Sequence, residues 1–425
     1  MLVAVLFGTF AVSLMLGVPV AISLALASMV YLLLEGIDLS VVPQFMYAGM
    51  DSFVLLCIPG FVLAGNLMNG GGITDQIVRF SSAVLGHIRG GLGLANVGGS
   101  MIFAGISGTA VSETASIGAV MIPAMKKAGY SGGFAAALTA SASTVGPIIP
   151  PSVPMIIVGT LTGLSVGRMF MAGAIPGILM GLGMMLTCYI IARRRNYPKG
   201  KWAGFAEIFR SGKAAFWAIL MTAIILYGIV GGIFTPTEAS IVASIYAFLV
   251  GMFIYKGFTL RDLPRILLNS AIGSGALILL VGFANLFGWI LTSEQIPQAI
   301  AAYMLSLTEN KYLIILMVNA LLLIVGTFME TIAALIILFP PLLAVATAVG
   351  IDPIHFAMIA VINLMLGLTT PPVGICLFVA GNIARVPLGT VAREVVPFLL
   401  CNIIVLMLVS FIPAISLWLP SMMFD

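Results

Sequence analysis

No charged residue interrupts the first stretch of the chain, Leu2 to Leu34, and apolar segments of spanning length recur to its end. They cover Phe53 to Met68, Ala214 to Val230, Ala239 to Phe253, Ile266 to Ile290 and Val395 to Leu417, with longer Gly-, Ser- and Pro-containing stretches between them. A helix needs about 20 apolar residues to cross the hydrocarbon of a bilayer, so the pattern predicts an all-α polytopic membrane protein with about ten to twelve embedded segments. Only 8% of the residues are charged and the mean hydropathy is +1.21, which leaves no room for a separate soluble domain. The alternating pattern of a membrane β-barrel is absent, and neither a signal-peptide cleavage pattern nor a lipidation signal governs the first segment.

The net charge of +4 does not call for a nucleic acid, because the basic residues sit at segment ends, where membrane orientation accounts for them. The densest cluster, Arg193, Arg194, Arg195, Lys199 and Lys201, is placed in the cytoplasm. Counting spans from it puts Lys126, Lys127, Arg79, Arg89, Lys256, Arg261, Arg265, Arg385 and Arg393 on the same side. By this parity 90–125 enters and leaves on the inner face, or forms a complete span plus a return, and 311–349 enters and leaves on the outer face. Two reentrant hairpins from opposite faces are therefore expected. The stretch from Leu2 to Leu34 is read as one long tilted span or a span plus a short interfacial piece.

The two halves also correspond in sequence. Glu113 and Pro123 match Glu330 and Pro340 at one offset, and Gly129, Gly146, Pro150 and Pro151 match Gly350, Gly367, Pro371 and Pro372 at a slightly larger one. The change of offset predicts a small insertion between Pro341 and Gly350. Each half holds a hairpin tip, GISGTAVSE at 105–113 or GTFME at 326–330, then a broken segment, STVGPIIPPS at 143–152 or GLTTPPVG at 367–374. Inverted repeats of this kind are a structural basis for alternating access.

A broken helix in hydrocarbon leaves backbone groups without partners, at several kcal/mol each if they stay so. Proline removes a donor, and glycine admits backbone angles closed to other residues. Facing breaks are tolerable where freed carbonyls bind a dehydrated cation and freed N–H groups face an anion; the alternative is a pair of gating hinges without ligands. Ser107, Thr109, Thr144, Thr369 and Thr370 place hydroxyl oxygens at these breaks, and a hard monovalent ion needs no carboxylate. Glu113 and Glu330 are read either as N-terminal caps of the returning arms or as participants in ion binding or proton coupling. Asn96, Asn285 and Asn363 are read as tip or scaffold hydrogen-bonders.

Other chemistry is not signalled. Phosphate loops and dinucleotide fingerprints are missing, so ATP hydrolysis is not expected of this chain. His87 and His355 lie far apart and form no metal-binding set, so no transition-metal site is expected. Cys57, Cys188, Cys376 and Cys401 fall inside apolar runs as small hydrophobes. Ser107 lacks the spacing and partners of a catalytic nucleophile, so the chain is not read as an enzyme. TPTEAS at 235–240 carries a good helix-start signal.

Five ordered blocks, IPGFVLAGNLMNGGGI at 58–73, GISGTAVSETASIGAVMIPAM at 105–125, GPIIPPS at 146–152, GGIFTPTEAS at 231–240 and GLTTPPVG at 367–374, resemble the large membrane subunit of tripartite ATP-independent periplasmic (TRAP) transporters over essentially the whole chain. The sequence departs from that family's usual pattern at Gly60 and Asn66. The resemblance implies an elevator-type secondary transporter of the bacterial inner membrane. Residues 90–160 and 309–382 would form a transport domain, and 1–89, 161–308 and 383–425 the scaffold and connections. It implies sodium-driven uptake of an organic acid, such as a C4-dicarboxylate, sialic acid or a related carboxylate, delivered by a periplasmic substrate-binding protein. A small four-helix membrane subunit is expected as a separate chain, lipid surrounds both, and no ATPase subunit is required. Carried onto this sequence, the sodium sites would be Ser107, Gly108 and Thr109 with Gly146 and Pro147, and Gly326 and Thr327 with Gly367, Thr369 and Thr370. Substrate would be held by backbone N–H groups and by Ser107, Thr144, Thr327 and Thr370, assisted by Arg79 or Arg89 if either folds inward. The alternatives are a proton-coupled carrier using Glu113 or Glu330, or an ion channel.

Overall fold

The computed structural model describes residues 2–308 and 310–424, apart from the side chains of Ser107, Ala301 and Leu305. The chain begins with α1 (Leu2–Met15) and α2 (Val20–Glu35), followed by α3 (Val41–Met50), α4 (Cys57–Gly70) and α5 (Ile73–Leu85). A first hairpin of α6 (Gly91–Ser107) and α7 (Ala110–Lys127) leads to a broken helix, α8 (Gly132–Ser143) and α9 (Val153–Thr162), and to the long α10 (Val166–Arg194). Next come α11 (Phe205–Val230), α12 (Pro236–Leu249), α13 (Leu263–Ser293) and α14 (Ile296–Leu307). A second hairpin, α15 (Lys311–Phe328) and α16 (Thr331–Ala348), precedes a second broken helix, α17 (Pro353–Gly367) and α18 (Ile375–Ala384); α19 (Leu388–Phe411) and α20 (Ala414–Phe424) close the chain. Among the described residues, 8 helices are long and apolar enough to cross a membrane, and α9, α17 and α18 are among the shorter apolar ones.

Three expectations about segment limits change. Leu2 to Leu34 is not one long tilted span: the turn at Gly17–Pro19 divides it into α1 and α2, which pack on each other. The last segment begins earlier than Val395 and ends at Phe411, because Pro413 has no N–H to continue α19 and starts α20 instead. The helix limits call for no insertion between Pro341 and Gly350. The offset that carries Gly146 onto Gly367 also carries the limits of α7 onto those of α16, so the hairpins align without a gap. That single offset places Thr109 opposite Glu330, and Ala334 opposite Glu113. At that offset the two glutamates do not coincide.

Side-chain size explains the layering. Every residue of α8 from Gly133 to Ser143 and of α17 from His355 to Gly367 is buried. The Gly, Ala and Ser content of α8 lets neighbouring backbones approach closely, as helix packing in lipid requires. Around these two rods the halves interlock: α7 packs on α8 and on α18, while α16 packs on α17 and on α9. Outside, Ile178, Leu182, Leu186 and Ile190 on α10 form an exposed apolar stripe at helical spacing, as do Leu400, Ile404 and Leu408 on α19. The α4–α12 crossing depends on Gly60, where an added Cβ would overlap Oγ of Ser240. Thr235 and Glu238 make a reciprocal capping box at the start of α12.

Charge is sorted between the two ends. Arg89 and Lys199 are bridged through their backbones, Lys126 donates to the carbonyl of Ala384 at 2.6 Å, and Arg195 meets Glu394 at 2.8 Å. These contacts gather the basic ends of α5, α7, α10, α18 and α19 on one face. The opposite end of α10 carries Arg168, and Lys311 shares a cavity with Gly350 and Asp352 at the open end of the second hairpin. The first hairpin thus opens at the basic end and the second at the other.

Candidate functional site

Each hairpin tip is seated on the break of its own half. Gly108 ends α6 with φ of 60°, the left-handed region that glycine enters without a Cβ penalty. A Cβ there would lie 3.3 Å from the carbonyl oxygen of Pro151 and 3.6 Å from the nitrogen of Val153, the first residue of α9. In the other half the fit is tighter still. A Cβ at Gly367 would lie within 2.6 Å of Cα of Gly326, so α15 and the end of α17 touch backbone to backbone.

The breaks are closed by local hydrogen bonds. Ser152 donates its hydroxyl proton to the carbonyl of Pro147 and accepts from the N–H of Met155 at 3.3 Å, capping α9. Thr144 donates to Ser141 O at 2.7 Å, Thr327 to Ile324 O at 2.7 Å, and Thr369 and Thr370 both to Leu366 O, at 3.0 and 2.8 Å. A hydroxyl whose proton is committed to a carbonyl presents only lone pairs outward, which suits it to a cation or to an N–H donor. The peptide bonds Pro150–Pro151 and Pro371–Pro372 are cis.

Gly108, Thr109, Gly146 and Pro147 therefore cluster at one tip and break, and Gly326, Thr327, Gly367, Thr369 and Thr370 at the other. The side chain of Ser107 lies outside the described residues. Thr144 is fully buried, so in this conformation it offers substrate no surface. Arg79 does not fold inward: it is exposed and paired with Glu207, Nε to Oε1 at 2.7 Å. Arg89 is held at the basic end beside Lys199. Among the described residues no group of three His, Cys, Asp or Glu side chains is placed to hold a metal ion.

The two glutamates part company. Glu330 is the N-cap of α16 and accepts from the N–H groups of Ile332 and Ala333 at 2.9 and 3.1 Å. Glu113 makes no cap, because Thr109 occupies that position and the glutamate lies one turn into α7. Its carboxylate is fully buried beside Ser100, against Gly146. Glu330→Ala should cost about 1 kcal/mol of stability, the usual value of an N-cap, read as a lower melting temperature in detergent; Glu330→Asn should recover most of it. An unchanged melting temperature in the alanine variant would show that the cap contributes nothing.

Three residues at the site were not singled out as ligands from the sequence. A cavity of about 350 Å³ lies between the first tip and the helices α4 and α13, and its polar lining is Thr109, Ser112, Asn66 and Asn269. A second cavity of about 440 Å³ shares Asn66 and Asn269 and continues past Asn69 to Asp262 and Arg265 at the basic end. At its mouth the backbone N–H and hydroxyl of Thr259 bond Asp262 at 2.9 and 2.8 Å, holding that carboxyl below its usual range. The available signal was the spacing of Asn66 and Asn69 on one face of an apolar helix. Asn96 donates to Thr139 at 2.6 Å and Asn285 to Phe45 O at 2.8 Å, so both hold the packing together.

Residues 7–415 match the family described as tripartite ATP-independent periplasmic transporter, DctM component. The chain is 41% identical over 407 residues to the sialic acid TRAP transporter large permease protein SiaM of Vibrio cholerae, covering 96% of this chain and 95% of that one. It is equally 41% identical over 371 residues to the C4-dicarboxylate TRAP transporter large permease protein DctM of Pseudomonas aeruginosa, covering 87% of each. Among solved structures, the YdaH transporter of Alcanivorax borkumensis aligns with a TM-score of 0.62 over 90% of this chain and 89% of that one; at 16% identity the likeness concerns the fold alone.

Proposed function

Because the chain belongs to the DctM family, the large permease components of TRAP transporters, we propose that it couples sodium entry to organic-acid uptake by an elevator movement of its hairpins and broken helices. Membership makes it a multi-pass protein of the bacterial inner membrane that performs secondary transport of an organic acid, and not an enzyme. TRAP transporters use a coupling ion, and their systems include a small membrane subunit and a periplasmic substrate-binding protein.

The observation that carries the sodium reading is the pair of tip-on-break contacts, Gly108 on Pro151–Val153 and Gly326 on Gly367. At both contacts, carbonyls and hydroxyl lone pairs stand where the helices are interrupted. Neutral oxygens at a helix break suit a weakly charged hard cation better than a divalent one. Sodium would be a co-transported substrate and not a resident cofactor. The proposed ligands are the backbone oxygens and hydroxyls of Ser107, Gly108, Thr109, Gly146 and Pro147 at one tip, and of Gly326, Thr327, Gly367, Thr369 and Thr370 at the other. The organic acid would sit beside the first tip, with Ser107 joined by Thr109, Ser112, Asn66 and Asn269; Thr327 and Thr370 would contribute from the second.

Residues 90–160 and 309–382 would move as one unit against 1–89, 161–308 and 383–425. Since two neighbouring cavities that share Asn66 and Asn269 extend from Thr109 toward the basic end, this conformation would release cargo inward under the positive-inside rule. A C4-dicarboxylate, sialic acid or related carboxylate fits equally well, as the two relatives at the same identity carry different substrates in their names.

The experiment is uptake by vesicles containing the permease, its small subunit and its binding protein, under sodium and proton gradients imposed separately. Uptake should follow the sodium gradient and stop without the binding protein. Uptake driven by protons alone, or needing no binding protein, would overturn the sodium reading in favour of a self-sufficient proton-coupled carrier. Flux at channel rates without substrate would favour a pore.

A further inference from the structure

We propose that the cavity at the open end of the second hairpin binds the zwitterionic headgroup of a phosphatidylethanolamine, with the lipid phosphate at Lys311 and the lipid ammonium at Asp352. The start of α15, the turn before α17 and the end of α19 enclose about 250 Å³ there. That is room for about eight water-sized groups at roughly 30 Å³ each, enough for a phosphoethanolamine and less than a drug-sized ligand takes. The cavity lies at the end of the molecule away from the basic cluster, which is the outer face under the positive-inside rule.

Two opposite charges line this space without meeting. Asp352 caps α17, its Oδ1 accepting from the N–H groups of Ile354 and His355 at 2.8 and 3.0 Å, so the carboxylate is fixed in place. Lys311 lies beside the ring of Tyr312, its Nζ 5.2 Å from the centroid. Among the described residues the ion pairs are Arg79–Glu207 and Arg195–Glu394, so Lys311 and Asp352 do not pair with each other. An ammonium and a carboxylate that share a cavity and stay apart leave a gap for a molecule carrying both charges in the reverse order. His355 forms the floor and adds no third charge contact, because its Nδ1 is 2.7 Å from Oγ of Ser416 and its Nε2 is 3.4 Å from the carbonyl oxygen of Ser410.

The rim favours a lipid over a soluble zwitterion. Tyr312 and Phe411 pair across the junction of α15 and α19 with ring centroids 6.0 Å apart, and Leu313, Leu316 and Ile412 stand exposed beside them. Aromatic rings at headgroup level with apolar side chains next to them mark a membrane–water boundary. Acyl chains would lie along Leu313, Leu316 and Ile412 while the headgroup enters the cavity. A primary ammonium has N–H donors for Asp352, whereas a choline headgroup has none and a glycerol headgroup has no cation.

The test titrates the delipidated complex of permease and small subunit in detergent with phosphatidylethanolamine, phosphatidylcholine and phosphatidylglycerol of the same acyl chains, counting bound lipid by native mass spectrometry. Glycerophosphoethanolamine is the soluble arm. Phosphatidylethanolamine should bind about tenfold tighter than either other lipid, the effect of one hydrogen bond to a charged group. Lys311→Gln and Asp352→Asn should each abolish that preference, and Asn at 352 keeps the helix cap, so the second variant should fold. Equal affinity for the ethanolamine and choline lipids in the wild type would overturn the proposal, as would a preference that survives both variants. Phosphatidylglycerol binding as tightly as phosphatidylethanolamine would reduce the cavity to a phosphate site and overturn the zwitterionic assignment. Glycerophosphoethanolamine binding as tightly as the lipid would overturn the assignment to a membrane ligand.

Discussion

Gly367→Ala is expected to reduce sodium-driven uptake by roughly two orders of magnitude, the upper end of the 1–3 kcal/mol that overpacking costs. The new methyl group would fall on the backbone of Gly326, and backbone cannot swing aside as a flexible side chain does. Either α15 lifts from the break or α17, buried at every residue from His355 to Gly367, shifts within the core, and both outcomes separate Thr327 from Thr369 and Thr370. Gly389→Ala is the matching control, because nothing lies within 4 Å of the added atom. Uptake by Gly367→Ala within twofold of wild type would remove the tip contact from the mechanism.

The second large effect concerns a buried amide chain. Asn363 on α17 donates to the carbonyl and to Oδ1 of Asn319 on α15 at 2.9 and 2.8 Å, and Asn319 donates to Ser410 on α19 at 3.0 Å. Asn363→Ala leaves Oδ1 of Asn319 without its donor and opens a void, a loss of about 2–4 kcal/mol. The apparent melting temperature in detergent should fall accordingly. The double variant with Asn319→Ala should lose less than the sum of the single variants, since the chain acts as one unit. Strict additivity would show that the three residues do not cooperate.

Much of this architecture was legible in the amino-acid order, for identifiable reasons. Continuous apolar runs marked the long helices, because a spanning helix must satisfy its own backbone in lipid and cannot tolerate charge. Pro147, Pro150, Pro151, Pro371 and Pro372 marked the breaks, because proline cannot continue the ladder. The hinge between α1 and α2 was missed because Gly17 and Pro19 lie in a run with no charge to mark its centre. At the site, the clustering of Gly326 with Gly367 follows from residue type, as only glycine permits such an approach. Two matching glutamates outweighed helix length in the comparison of the halves, although the cap positions are Thr109 and Glu330. The polar path through Asn66, Asn69 and Asn269 joins residues on α4 and α13, and no local pattern links positions so far apart in sequence. Asn66 drew notice only as a departure from its family.

Burying Glu113 one turn into α7 has an electrical consequence. If its carboxylate crosses the membrane field together with sodium on the inward stroke and alone on the return, the two strokes carry different net charge. Moving one elementary charge through the full potential involves about 2.3 kcal/mol per 100 mV. With the cell interior negative, that work favours outward movement of the unloaded anion. The resting voltage of the bacterium would thus reset the carrier for its next cycle, adding a drive to the half of the cycle in which no ion gradient acts.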